Sequence, residues 1–205
     1  MFTDFKGFAG HLLDLYRIVM LTFTNPHGFT KFRIIDSIRK RTGSSVLLEA
    51  GTYRGVTTRR CSYIFKKVYT AELGKALADQ ASAYLRDRKN VRVIQGDALE
   101  VLPGLLKSEE IDNVLIFLDG HFSGGETACG SIPEPAVEGL KVLSEHKGKI
   151  KAIIVDDFRC FGTVPNFPTK SILLKTAEDC FSNFGFELFV QFDQLIIMRN
   201  RASPV

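Results

Sequence analysis

The residues of this chain best suited to chemistry are carboxylates standing at the ends of short apolar runs. Glu49 closes VLLE, Glu72 closes VYTAE, Asp97 follows VRVIQG, Asp119 follows VLIFL, and Asp156 with Asp157 follows AIIV. A carboxylate accepts two hydroxyl donors at once, and it binds hard cations through oxygen. Neighbouring carboxylates repel unless a cation, a proton or hydrogen-bond donors compensate, so the pair at 156 and 157 points to such a partner. Two other features belong with them. Gly51 and Gly55 in EAGTYRG allow the backbone to approach a ligand closely. His121, two residues after Asp119 in LDGHF, has a side chain whose ordinary pKa suits it to take a proton from a hydroxyl.

Carboxylates this far apart along the chain meet only if the elements beneath them deliver them to one rim. The runs SVLLE, VYTAE, VRVIQ, NVLIFLD and KAIIVDD read as five strands, and the segments between them are long enough for crossover helices. Right-handed crossovers bring all strands of such a sheet out the same way, and ligands collect beyond their carboxyl ends. NVLIFLD is continuously apolar, as a strand buried on both faces should be. Helices are expected from the glycine turn to about residue 66, over KALADQASAYLRDR, over ALEVLPGLLKSE despite Pro103 and Gly104, and over about 135–146 and 171–184. FELFVQFD and QLIIMRN are separated too briefly for a crossover and form an antiparallel hairpin.

Ahead of the sheet, residues 1–43 read as a helical cap and 44–205 as the main domain, the whole folding as one compact unit. The first helix is amphipathic, and its apolar stripe is expected to face the core, with docking on a partner subunit or covering the active site as the alternatives. Its apolar stretch is broken by His11, Asp14 and Arg17, too soon for a membrane span.

With 205 residues, 45% hydrophobic and 24% charged, the chain can bury a core, which excludes wholesale disorder. Its net charge of +4, from 27 basic and 23 acidic residues, is small and scattered, so no nucleic-acid partner is expected. The cysteines at 61, 129, 160 and 180 lack the close pairing of zinc or redox motifs, so a reducing cytoplasm is the expected location. A dinucleotide fingerprint would need glycines where Tyr53 and Val56 stand, which disfavours a nicotinamide cofactor.

As an ordered set, the glycine turn and the carboxylates resemble the class I S-adenosylmethionine-dependent methyltransferases, whose first motif is often acidic-x-Gly-x-x-x-Gly. The resemblance covers roughly residues 44–199 and implies a Rossmann-like, doubly wound α/β fold. The sheet would have seven mostly parallel strands, a C-terminal antiparallel hairpin and helices on both faces. It implies a cofactor site of Glu49, Gly51, Thr52, Tyr53, Gly55, Glu72, Asp97, Ala98 and Asp119. In it the glycine turn carries the methionine part, Glu72 the ribose hydroxyls and Asp97 the adenine amino group. The chain departs from the tightest form of the motif at Thr52 and Tyr53.

Asp119, Asp156 and Asp157 are similar to the metal positions of cation-dependent O-methyltransferases of the catechol and macrocin types, which implies Mg²⁺ there. The expected activity is methyl transfer to a hydroxyl of a small molecule, a sugar or secondary metabolite. Asp119 and His121 would be catalytic, and the glycines of FSGGET allow a loop that closes over the substrate or binds a phosphate. A homo-oligomer built through the N-terminal helix is a further expectation. The rival readings are a metal-dependent hydrolase using Asp119, His121, Asp156 and Asp157, and a noncatalytic cofactor-binding module. Arg159 would hold an anionic substrate group or neutralise the acidic pair.

Overall fold

The computed structural model describes residues 5–20, 25–108, 110–120 and 134–200. Seven strands form one sheet: β1 (Val46–Ala50), β2 (Lys67–Glu72), β3 (Val91–Gln95), β4 (Val114–Leu118), β5 (Ile150–Val155), β6 (Phe186–Gln191) and β7 (Gln194–Arg199). Their spatial order is β3-β2-β1-β4-β5-β7-β6. The first five are parallel; β7 runs antiparallel to both β5 and β6. The expected hairpin is therefore present, with its second strand inserted inside the sheet and β6 at the edge. The helices are α1 (Phe5–Val19), α2 (Gly28–Thr42), α3 (Val56–Cys61), α4 (Lys75–Leu85), α5 (Ala98–Leu106), α6 (Ala136–Ser144) and α7 (Lys170–Phe181). The helix after the glycine turn is shorter than expected, ending at Cys61.

Alternation along the strands builds two apolar layers, because successive side chains of a strand point to opposite faces. Leu47, Leu115, Phe117, Ile154 and Ile196 join Ile34, Ile35 and Ile38 of α2. Leu48, Ile116, Ile153, Val155 and Ile197 pack on the other face with residues of α5, α6 and α7, among them Leu102, Leu140 and Phe181. Thus α2, although part of the N-terminal 43 residues, is one of the sheet's own covering helices.

The first helix reverses its expected orientation. Phe5 is 77% exposed and Val19 79%, and Phe8, Leu12 and Tyr16 are exposed too, whereas Asp14 is the buried residue of α1. The sheet face is already covered by α2, so α1 packs on α2 through a polar contact. Asp14 accepts hydrogen bonds from the His27 backbone N–H at 2.8 Å, the His27 ring at 2.7 Å and the Thr30 hydroxyl at 2.5 Å. Burial pushes the Asp14 carboxyl up, but the bonds from Thr30 and His27 outweigh it and hold the group below the usual carboxylate range. These donors lie at the start of α2, where helix N–H groups lack internal partners, so Asp14 supplies a cap from another helix.

Among the described residues, no helix is long and apolar enough to cross a membrane, and Cys61, Cys160 and Cys180 are free. Cys129 lies outside the described residues.

Candidate functional site

The site grows from the point where the winding of the sheet reverses. From β1 the chain moves outward to β2 and β3, then returns to place β4 on the other side of β1, which opens a crevice beyond the ends of β1 and β4. Register fixes what faces it. Ala50 pairs with Leu118, the Asp119 N–H donates to the Ala50 carbonyl at 3.0 Å, and the Gly51 N–H donates to the Ala71 carbonyl at 3.0 Å. Gly51 has φ +87°, and a Cβ there would stand 2.3 Å from the Asp119 carbonyl oxygen, so only glycine lets the two turns meet. Gly55, at φ +72°, starts α3.

Around this turn the carboxylates divide into two kinds. Glu49, 1% exposed, turns away from the crevice and accepts from the hydroxyls of Thr58 at 2.5 Å and Thr70 at 2.7 Å. Burial raises its pKa to about 7; the two hydroxyls oppose the shift and Glu72 adds to it. The Thr52 hydroxyl lies 2.6 Å from that of Thr70, extending the same buried network. Glu72 accepts from the backbone N–H of Tyr53 at 2.8 Å and of Gly74 at 3.0 Å, bracing the glycine turn from β2. Tyr53 itself sits at φ +48°. Asp97 caps α5 by accepting from the Leu99 N–H at 2.9 Å. Beside it opens an apolar cleft of about 490 Å³, counting its open mouth, lined by Ala98, Leu99, Leu102, Leu118, Gly120 and Pro135 among others.

On the β4–β5 side, Asp119, Asp156 and Asp157 come together as the pattern of acid-terminated strands requires. Leu118 pairs with Val155, and one oxygen from each of the three carboxylates lies within 4.8 Å of the others. At their centre is a group the sequence reading missed. The Lys31 ammonium contacts Asp156 Oδ2 and lies 3.8 Å from both Asp119 Oδ2 and Asp157 Oδ1. Burial pushes the lysine down, but Asp119, Asp156 and Asp157 outweigh it and hold the group above the usual lysine range. A unit charge pair about 4 Å apart is worth about 4 kcal/mol near a protein surface, so nearby carboxylates can offset the desolvation of a largely buried ammonium. The signal was present in the sequence: Lys31 stands at helical spacing with Ile34, Ile35 and Ile38, on the stripe that α2 turns to the sheet.

The cluster is braced from the C-terminal hairpin. Asp156 Oδ1 accepts from the Gln194 amide at 3.0 Å. Asp157 adopts a left-handed conformation, φ +53°, and accepts from Arg159 at 2.7 Å. The Arg159 guanidinium also binds Asp193, which accepts from the Arg159 backbone N–H at 2.6 Å. Of the acidic pair, Arg159 therefore meets Asp157, and its second carboxylate is Asp193 rather than Asp156. Burial, then the charge of Asp156, push the Asp119 carboxyl well above its ordinary range, with Lys31 opposing. Glu134 is raised to about 7 by burial, opposed by the Ala136 N–H, with Asp157 adding to the rise. His121 and the FSGGET loop lie outside the described residues.

Three carboxylate oxygens at this separation are a donor set that suits Mg²⁺. The space between them is taken by the Lys31 ammonium, so an ion and that side chain cannot occupy it together.

No protein-family model matches the chain. Over 90 residues it is 33% identical to a tRNA (guanine-N(7)-)-methyltransferase of Methylobacillus flagellatus, a match covering 40% of this chain and 37% of that protein. The match therefore spans little more than a third of that relative. Solved structures agree along nearly the whole length. An O-methyltransferase from Bacillus cereus in complex with SAH superposes with a TM-score of 0.61 at 15% identity, covering 97% of this chain and 93% of that one. The O-methyltransferase TomG from Streptomyces achromogenes, in complex with SAM, gives 0.57 at 14% identity, covering 98% and 100%. A putative caffeoyl-CoA O-methyltransferase from Staphylococcus aureus gives 0.54 at 17% identity, covering 92% and 91%.

The fold is that of the class I S-adenosylmethionine-dependent methyltransferases. Within this methyltransferase fold, the cleft runs from Ala98 and Leu99 at the start of α5 to Leu118, Gly120 and Asp156, so one wall of it belongs to the carboxylate cluster. Glu49 and Thr52 brace the turn from inside. At this rim Asp119, Asp156 and Asp157 contact Lys31, and Asp157 and Asp193 contact Arg159.

Proposed function

We propose that this chain is an S-adenosylmethionine-dependent O-methyltransferase acting on a hydroxyl of a small molecule such as a sugar or secondary metabolite. The observation that carries the reading is the direct meeting of the Gly51 turn with the Asp119 backbone at the switch of the sheet. It joins a site for the cofactor to a site rich in oxygen ligands. The cofactor would lie along the glycine turn, with its ribose hydroxyls on the oxygens of Glu72 and its adenine toward Ala98 and the apolar cleft.

In the reaction the sulfur–methyl bond breaks as the oxygen–methyl bond forms, and the hydroxyl proton leaves to a base. His121 is the residue we assign to that step, from its place two positions after Asp119. Methyl transfer is an in-line displacement, so holding the two reactants in line supplies most of the acceleration. Mg²⁺ at Asp119, Asp156 and Asp157, if bound, would orient and acidify the acceptor hydroxyl. The exposed apolar stripe of α1 supports a second copy of the chain docking there, and the scattered cysteines support a cytoplasmic location.

The test is calorimetric titration with S-adenosylmethionine, then transfer of a labelled methyl group to sugars, catechols and tRNA. Binding and labelling of a small acceptor are expected, with Glu72→Ala abolishing both. Absence of cofactor binding would refute the reading and favour the hydrolase, whereas binding without transfer to any acceptor would favour the noncatalytic module. The tRNA arm is included because the 33% identical relative is named for tRNA methylation; labelling of tRNA alone would overturn the small-molecule assignment.

A further inference from the structure

We propose that Lys31 is the resident counter-cation of the Asp119–Asp156–Asp157 cluster, so that methyl transfer here proceeds without a divalent ion bound between those carboxylates. The proposal rests on the methyltransferase reading for its activity measurement alone; the occupancy of the cluster is testable without it.

The position of Lys31 is set by its helix. Ile34, Ile35 and Ile38, on the same stripe of α2, are buried against β1, β4, β5 and β7. The start of α2 is fixed by the bonds from His27 and Thr30 to Asp14. The lysine side chain is only 12% exposed and directs its ammonium into the cluster rather than into solvent. Asp156 shows the fit most clearly. Its Oδ1 is taken by Gln194, and its buried Oδ2 has no hydrogen-bond donor apart from the ammonium pressed against it.

An octahedral Mg²⁺ would need its oxygen ligands at about 2.1 Å. It could reach all three carboxylates only from the space the ammonium fills, and the two cations would repel at contact. A lysine here supplies one positive charge that is tethered to the chain, delivered by α2. The acceptor oxygen would then meet a tethered ammonium where the cation-dependent relatives would offer an ion.

Mn²⁺ is the probe, titrated into cofactor-free protein and followed by the loss of the free-ion paramagnetic resonance signal. Wild type and Lys31→Arg are expected to show no saturable binding through the millimolar range, whereas Lys31→Met, with the charge removed and the volume kept, gains one ion per chain. Saturable binding by wild type as tight as that of Lys31→Met would overturn the proposal. Should Lys31→Met fail to fold, the wild-type titration decides alone. Turnover of wild type is expected to be unchanged by EDTA, and a loss that added Mg²⁺ restores would equally overturn it. Absence of any methyl transfer would defeat the methyltransferase reading and leave the Mn²⁺ titration as the measure of this one.

Discussion

Glu49→Gln is the substitution whose consequence follows most directly from the structure. The carboxyl is enclosed between Thr58 and Thr70, and burial raises its pKa from 4.5 to about 7. Because the folded protein holds this proton more tightly than the unfolded chain, the sign is that of a raised acid. Below 4.5 the group is neutral in both states and burial costs little. As pH rises through the interval to about 7, the unfolded chain ionises freely while the folded one resists, and stability is lost. At about 1.4 kcal/mol per pH unit, the interval amounts to roughly 3 kcal/mol above pH 7. Glutamine keeps an oxygen for both hydroxyls and never ionises, so it removes the loss. The chain has no tryptophan, so urea unfolding is best followed by circular dichroism across pH, wild type against variant. Other titrating groups are common to both and cancel in the difference. The variant is expected to match wild type near pH 4 and to exceed it by about 3 kcal/mol above pH 7. A stability difference that stays flat across that range would refute the buried-acid account of Glu49.

Gly51→Ala forces a Cβ against the Asp119 carbonyl in a left-handed backbone. The conformation alone costs about 1–2 kcal/mol, and displacement of the β4 turn should weaken S-adenosylmethionine binding at least about tenfold by calorimetry; unchanged affinity would mean that the turn does not carry the cofactor. Asp14→Ala removes the acceptor for three donors, costing about 2–3 kcal/mol at the α1–α2 contact. Hydrogen exchange should quicken in α1 while β4 stays protected; a matching loss of protection in β4 would show that α1 is part of the cooperative core.

The alternation of strand and helix, and with it the fold, was readable because short apolar runs ending in acids, spaced widely enough for crossover helices, leave few other arrangements. Asp119 and Asp156 met as expected, since parallel strands in register end side by side. Glu49 was harder to place. It lies within β1, one residue before the strand ends at Ala50, and strand geometry turns it into the fold rather than toward the rim. The place of Lys31 was not legible although its stripe position was, because a helical stripe shows which face meets the sheet but not which strand ends a lysine on it reaches. The orientation of α1 was not legible, since a stripe does not announce which of its faces finds a partner. Nor was the Arg159–Asp193 clamp: it depends on a two-residue turn of Phe192 and Asp193, both at positive φ, without the Asn-Gly signature of such turns.

The two oxygens of Asp156 join the first and last parts of the chain, one held by Lys31 of α2 and the other by Gln194 of β7. No local unit of the fold contains both. The central strands alone therefore leave Asp156 without either of these partners until the β6–β7 hairpin slots beside β5 and α2 closes over the sheet. Order at this rim reports that both segments are docked.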